Sequence, residues 1–192
     1  MKPYIQTTEY TTAASSLLTL LAHFNILQPT RENELKIWKD TILPPTRASS
    51  VHALANQAIE LNPTLILETD NYEFPDYRFY RYTKEDIEIA KISSKLYKKN
   101  NKVKTIIQPI TLNDIHNLIK TNYILIRLNT KHIREDEKRN TSNYILLIEK
   151  NKIIDPKQGL ITITDEQFEE AFNTLKSKKH RSHKMIIFPT QH

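Results

Sequence analysis

The side chains that most often carry out chemistry in proteins are sparse in this sequence. It has seven histidines and no cysteine, so thiol catalysis, disulfides and zinc–thiolate sites are excluded. No two histidines have the His-x-x-x-His spacing that places both imidazoles on one helix face, and His180 and His183 lie in a basic run. We therefore predict no metal site and no cofactor.

Two threonines stand where the first helix should begin. Residues 10–21 read YTTAASSLLTLL, so that Thr11 and Thr12 precede two alanines, which are the strongest helix formers. A threonine hydroxyl acts as a nucleophile only when a neighbouring base takes its proton. By itself, Thr12 at this position is typical of a helix cap.

Two other segments have a composition that suits nucleic acid. Residues 71–82, NYEFPDYRFYRY, interleave aromatic side chains with arginines, and residues 176–184, KSKKHRSHK, form the densest basic run. Aromatic rings stack on bases, and cations pair with phosphates. Another interpretation is favoured for each segment: a packed edge for the first, and a solvated connection between a helix and a strand for the second.

Composition limits the class of protein. The chain has a net charge of +6, and of its 192 residues 39% are hydrophobic and 26% are charged. A chain of this length and composition can bury one substantial core. The N-terminus lacks the apolar run of a secretory signal, and no segment approaches the roughly 18 apolar residues of a membrane span. We expect one domain over residues 1–192 and a soluble, cytoplasmic protein without membrane contact.

Apolar spacing and capping residues predict the helices. The first spans residues 12–24, and Thr30 caps a second over residues 31–41, on which Leu35 and Trp38 should be buried against the first helix. A third runs over residues 46–61. The fourth begins at Thr83 and should turn its apolar residues inward: Ile87, Ile89, Ala90, Ile92 and Leu96.

The rest of the chain alternates short helices with β-rich runs. TLILET, VKTII, YILIRL, ITI and KMIIF predict strands, and NYILLIEKNKIIDP predicts a hairpin that turns at Lys150 and Asn151. TLNDIHNLI and the capping box TDEQ begin further helices. Because helices come first and a mostly antiparallel sheet follows, the predicted fold class is α+β.

Four motifs, in order, resemble a known family. IQTTEYTTAASSLL, TRENELKIW, NYILLI and IIDP follow one another here. Bacteriocin-processing-type (C-39-like) papain-like cysteine peptidases have Gln, then Glu-Tyr-Ser/Thr-Cys-Gly-Pro-Ala and an apolar helix, then Ser-Arg-x-x-Glu-Leu-x-x-Trp, His-Trp/Tyr-Val-Val-Val and Asp-Pro. The chain is especially similar to the branch found near or fused to acetyltransferases. The resemblance covers about residues 4–160 and implies a papain-like fold.

The resemblance also assigns roles to four positions. In that family a helix N-terminus and a histidine activate the cysteine, an acid orients the histidine, and a glutamine helps to hold the oxyanion. These roles fall on Thr12 for the cysteine, Asn143 for the histidine, Asp155 for the acid and Gln6 for the glutamine. Gln6 and Asp155 keep the family chemistry. Asn143 does not, because an amide cannot accept a proton near neutral pH.

The resemblance thus implies a pseudopeptidase, a catalytically inactive domain that binds a peptide or protein partner such as an active relative. Two alternatives stay open. The first is a hydrolase or acyl transferase in which Thr12 has an unidentified base, for which His132 is the candidate. The second is a nucleic-acid-binding module that uses the aromatic and basic segments.

Overall fold

A computed structural model describes residues 1–73 and 82–190 of the chain. Residues 74–81, the greater part of the aromatic and arginine-rich segment, lie outside the described residues, as do residues 191 and 192. Within the described ranges, no helix combines the length and the apolar composition that crossing a membrane requires.

Six α-helices occur in the described chain. They are α1 (Thr12–His23), α2 (Arg31–Thr41), α3 (Val51–Gln57), α4 (Lys84–Lys99), α5 (Leu112–Leu118) and α6 (Asp165–Lys179). Short 3-10 helices lie at Ile59–Leu61 and Thr130–His132. All the α-helices except α1 have a Ser or Thr cap whose hydroxyl accepts a backbone N–H of the first turn, which satisfies a donor that the helix itself leaves unpaired.

Seven strands form one sheet in the order β2-β1-β7-β3-β4-β5-β6. They are β1 (Thr64–Leu67), β2 (Lys104–Ile107), β3 (Asn122–Asn129), β4 (Ser142–Glu149), β5 (Lys152–Asp155), β6 (Gly159–Thr162) and β7 (Lys184–Pro189). Only the β1–β2 pair is parallel among these described strands. The predicted α+β class with a mostly antiparallel sheet is confirmed, as is the β4–β5 turn, where Asn151 has a φ of 64°.

Helices cover both faces of the sheet. α1, α2 and α3 pack on one face over Leu65, Leu125, Leu146 and Ile186, and α5 and α6 pack on the other over a second set of strand residues. Because the central strands are buried on both sides, they read as continuous apolar runs rather than alternating ones. Thr12, the first residue of α1, lies on the first of these two faces.

Two predicted helices differ from the structure. α3 begins at Val51 rather than at Thr46, because the Ser50 hydroxyl accepts the N–H of Ala53 and caps the helix there. α4 buries only Ala90, whereas three residues expected in the core are 48–56% exposed: Ile89, Ile92 and Leu96. α4 packs against α3 rather than directly on the sheet, so its inward face is narrow.

The buried side of α2 is also not the predicted one. Glu34, Ile37 and Thr41 are buried, while Leu35 and Trp38 are half-buried. The Trp38 ring packs against Tyr10 with the ring centroids 4.8 Å apart, and its Nε1 donates to the Arg47 carbonyl at 3.4 Å. The prediction that Trp38 is buried with Leu35 is therefore wrong, since a charged residue holds the innermost position.

The Glu34 carboxylate is the hub of a buried hydrogen-bond network. Oε1 accepts from the Thr7 N–H at 2.9 Å, the Ser15 hydroxyl at 2.7 Å and the Thr11 hydroxyl at 2.5 Å. Oε2 accepts from the Thr7 hydroxyl at 2.5 Å and the Tyr4 hydroxyl at 3.1 Å. Burial would raise the pKa of Glu34, but the hydrogen bonds from Thr11, Thr7 and Ser15 outweigh it and lower that pKa. An ionised carboxylate thus ties the N-terminal segment to α1 and α2.

We predict that Glu34→Gln lowers the free energy of unfolding by about 3 kcal/mol at pH 7. The NH2 group of the glutamine would face hydroxyl and N–H donors that the carboxylate accepts, so those donors would lose their partner. Urea unfolding measures the loss, and Glu32→Gln, an exposed change on the same helix, should stay within about 0.5 kcal/mol of wild type.

The same pair of proteins tests the charge of Glu34. A lowered folded-state pKa contributes stability above the unfolded value of about 4.3, and that stability is lost as the pH falls through the folded value. The difference in the free energy of unfolding between wild type and Glu34→Gln should therefore become smaller below about pH 4. A difference that stays constant down to pH 3 would show that folding does not lower the pKa of Glu34, and one that widens as the pH falls would show that the carboxyl is neutral in the folded protein.

Truncations on α2 should separate its buried and half-buried positions. Ile37 is 1% exposed, so Ile37→Ala should cost about 3 kcal/mol through lost burial and a cavity. Trp38→Ala should cost less, about 1–2 kcal/mol, because its ring is partly solvated. Thermal or urea unfolding of the two variants decides the order, and a larger loss for Trp38→Ala would contradict the packing described above.

Candidate functional site

The first residue of α1 faces the beginning of β4. The Thr12 hydroxyl donates to Asn143 Oδ1 at 3.4 Å, and one turn later the Ser16 hydroxyl donates to the Tyr144 carbonyl at 3.1 Å. The cap residue is Thr11 rather than Thr12, and its hydroxyl makes no capping bond because it donates to Glu34 instead. The structure thus brings Thr12 and Asn143 together at an uncapped helix N-terminus.

The amide of Asn143 is held at both ends. Its oxygen accepts from Thr12, and Nδ2 donates to the Thr130 hydroxyl oxygen at 3.0 Å. Thr130 is in turn 2.7 Å from the Thr141 hydroxyl oxygen. Since an amide oxygen is a weak base, the Thr12 hydroxyl has a hydrogen-bond acceptor but no group that would remove its proton.

Asp155 lies at the end of β5 and is fully buried, but its carboxylate is committed elsewhere. Oδ2 accepts from Arg134 Nε at 2.9 Å, and Oδ1 accepts from the backbone N–H groups of Lys157 at 2.8 Å and Gln158 at 3.0 Å. These bonds account for both carboxylate oxygens, and none of them comes from Asn143. Asp155 therefore anchors a loop and a turn rather than orienting the residue at position 143.

Arg134 is the site residue that sequence reasoning missed. It lies in the charged stretch TKHIREDEKRNTS, which reads as a polar loop, yet Arg134 is only 5% exposed. The 3-10 helix Thr130–His132 turns the chain inward, so that Ile133 joins the core while Arg134 reaches Asp155. The one available clue was an isoleucine inside a charged run, directly before the arginine.

Gln6 is drawn to the same turn by its backbone. Its N–H donates to the Pro156 carbonyl at 2.8 Å, one residue beyond Asp155. Gln6 Oε1 and Arg134 Nη2 are both buried and have no hydrogen-bond partner among the described residues. One acceptor and one donor thus stay unsatisfied beside the Asp155 turn, which is uncommon for buried polar atoms.

His132, the candidate base, faces α6 rather than Thr12. Its Nδ1 lies 2.8 Å from Glu170 Oε2, and the side chain is 21% exposed. It is therefore a half-buried, paired histidine rather than a solvated one. Within the described chain, no group of three or more His, Asp or Glu side chains is placed to hold a metal ion.

The basic run over residues 176–184 is not the solvated connection predicted. Arg181 and His183 are buried, and His183 Nε2 donates to the Phe172 carbonyl at 2.9 Å. The carboxylates of Glu68 and Glu73, just after β1, draw this segment inward through the N–H groups of His183 and Ser182. The run is therefore divided: Lys176, Lys178 and His180 are exposed, whereas Arg181 and His183 are internal and not available to a nucleic acid.

Comparison with known proteins gives limited information. No family model matches the chain, and no curated protein matches it. One solved structure is described as a double glycine motif protease from the AMS/PCAT transporter in complex with the leader peptide. The alignment with it covers 98% of this chain and 91% of the protease chain. The sequence identity is 16% and the TM-score is 0.45, values too low to assign a family or a residue's role.

Proposed function

We propose that this chain is a peptidase-like domain without catalysis, which binds a peptide or protein partner at the beginning of α1. The observation that carries the proposal is the 3.4 Å contact between Thr12 and Asn143 at a helix N-terminus. These are the two positions at which the resemblance expects a nucleophile and its base. The two side chains contact each other there, but position 12 has no thiol and position 143 has no imidazole.

The contacts of each neighbour argue against a hidden mechanism. A nucleophilic threonine needs a base within hydrogen-bond reach. Asn143 offers an amide oxygen, Asp155 is bound to Arg134, and His132 is bound to Glu170. The hydrolase or acyl-transferase alternative therefore has no supporting contact among the described residues.

Binding is supported by the polar groups that lack partners. Thr11 directs its hydroxyl to Glu34, so the first-turn N–H groups of α1 have no side-chain cap and can donate to a carbonyl. Gln6 Oε1 lacks a donor and Arg134 Nη2 lacks an acceptor among the described residues, although both atoms are buried. A peptide backbone supplies both an N–H and a C=O at each residue, which fits this mixture of donors and acceptors.

Restoring a thiol and an imidazole tests whether positions 12 and 143 form one site. The chain has no other cysteine, so iodoacetamide reports on the introduced thiol alone. Thr12→Cys with Asn143→His should label about tenfold faster at pH 7 than Thr12→Cys alone, because an adjacent imidazole stabilises the thiolate. Thr162→Cys on exposed β6 supplies the rate of an ordinary thiol. Equal rates for the single and double variants from pH 5 to 9 would contradict the proposed site.

A displayed library of random peptides tests binding. Selected peptides should photocrosslink to a benzophenone side chain placed at Thr12 and not to one at Lys120, an exposed position beyond α5. They should also stay intact, because the site has no base. Equal crosslinking at both positions would refute binding at this site, and cleavage that Thr12→Ala abolishes would establish the hydrolase instead.

A further inference from the structure

A small polar cavity lies apart from the contacts of Thr12. Its volume is about 60 Å³, which is enough for several water molecules or one small oxyanion. α3 contributes His52 to its wall, β4 contributes Tyr144, and β7 contributes Lys184. The segment after β1 adds two carboxylates, those of Asp70 and Glu73. The cavity is therefore lined by ionisable groups of both signs.

Two cations among the described residues lie close to the Glu73 carboxylate on the β7 side of the cavity. Arg127 Nη2 lies 2.6 Å from Glu73 Oε2, and Lys184 Nζ lies 3.6 Å from the same oxygen. Glu73 Oε1 accepts the N–H of Ser182 at 2.6 Å. Arg181 also lines the cavity and donates to the Glu73 backbone carbonyl. One carboxylate thus faces two cations, and the closer contact belongs to Arg127.

The proton equilibria agree with this imbalance. Burial and the charge of Arg127 lower the pKa of Lys184 to about 8, although Glu73 opposes the change. Burial would raise the pKa of Glu73, but Arg127 and Lys184 outweigh it and lower that pKa to about 2. At neutral pH the Lys184 ammonium is charged in an unfavourable environment, which an anion in the cavity would improve.

Two further groups on the cavity wall lack partners in the described chain. His52 is 6% exposed and its Nδ1 is buried without a hydrogen bond, and the Tyr144 side chain, which is 7% exposed, makes no hydrogen bond through its hydroxyl to a described residue. His52 Nε2 lies 2.9 Å from Asp70 Oδ1. Burial lowers the pKa of His52, and Lys98 and His52 lower that of Asp70 despite burial. A neutral ring that donates from Nε2 leaves Nδ1 as a hydrogen-bond acceptor.

We propose that this cavity binds a small protonated oxyanion of the phosphate class. Oxygen atoms of the anion accept from Lys184 and from the Tyr144 hydroxyl, and its own O–H donates to His52 Nδ1. Sulfate matches phosphate in shape but carries no proton at neutral pH, so it would leave Nδ1 unsatisfied. The inference concerns a different site from the peptide-binding proposal and does not depend on it.

A second cavity, of about 340 Å³, shares the wall formed by Asp70 and Ser94. Three lysines of α4 line it, Lys91, Lys95 and Lys98. Lysines around an opening raise the local concentration of anions and speed their entry.

Calorimetric titration of the intact chain with inorganic phosphate and with sulfate, at pH 6.5 in a chloride buffer, tests the site. We expect phosphate to bind at least about tenfold more tightly than sulfate. Lys184→Met and Tyr144→Phe should each weaken phosphate binding at least about tenfold, whereas Lys120→Met, an exposed control, should not change it. Tyr144→Phe removes only a hydroxyl, so it keeps the test valid if Lys184→Met does not fold.

Raising the pH to 9 should weaken binding, because Lys184, whose pKa is about 8, loses its proton, while phosphate keeps one O–H as its dianion. The charged and titratable groups around Lys184 are Arg127, Arg181, Lys98, Glu73, Asp70, His52 and Tyr144. The lowered pKa values keep Glu73 and Asp70 charged and His52 neutral over this range, and the raised pKa keeps Tyr144 neutral. Phenyl phosphate, whose second ionisation lies at about pH 6, has largely lost its O–H at pH 6.5 and should bind more weakly than inorganic phosphate, and tighter binding would contradict the contact with His52. Equal affinity for phosphate and sulfate, no binding, or full binding by Tyr144→Phe would each overturn the proposal.

Discussion

The position of the N-terminal segment depends on one buried carboxylate. Glu34 gathers donors from Tyr4, Thr7, Thr11 and Ser15, and it thereby joins a segment without regular structure to two helices. The same bonds occupy the Thr11 hydroxyl, which leaves the N-terminus of α1 without a side-chain cap. A single carboxylate thus holds the N-terminal segment against the beginning of α1, whose first turn has no side-chain cap.

A second buried charge fixes the other side of the site. The Arg134–Asp155 pair is nearly inaccessible to solvent, and such pairs are stable only when hydrogen bonds satisfy both partners. Asp155 meets this condition through the turn that follows it, while Arg134 keeps one unsatisfied nitrogen. In our proposal this arrangement replaces a catalytic acid by a structural one, so the proposed lack of catalysis does not rest on Thr12 and Asn143 alone.

The sequence predicts the elements better than it predicts the site. Strand runs, apolar spacing and Thr caps are local patterns, so the seven strands and five of the six helix starts in the described chain follow from them. Burial of charge is not local: Glu34 in α2, Arg134 in a polar loop and Lys184 in a basic run all read as surface residues. Each is internal because a partner distant in the chain satisfies it, and a single sequence contains no record of that partner. The reverse holds for Ile92 of α4, which the apolar spacing predicts to be in the core but which is 56% exposed.

The proposed inactive site requires that Asp155 be coupled to Arg134 and not to position 143. Double-mutant cycles measured by urea unfolding test this requirement, with Asp155→Asn combined first with Arg134→Leu and then with Asn143→Ala. We predict a coupling energy above about 1 kcal/mol for Arg134 with Asp155, and one within about 0.5 kcal/mol of zero for Asn143 with Asp155. A coupling between Asn143 and Asp155 as large as that of the ion pair would show that the acid still serves position 143.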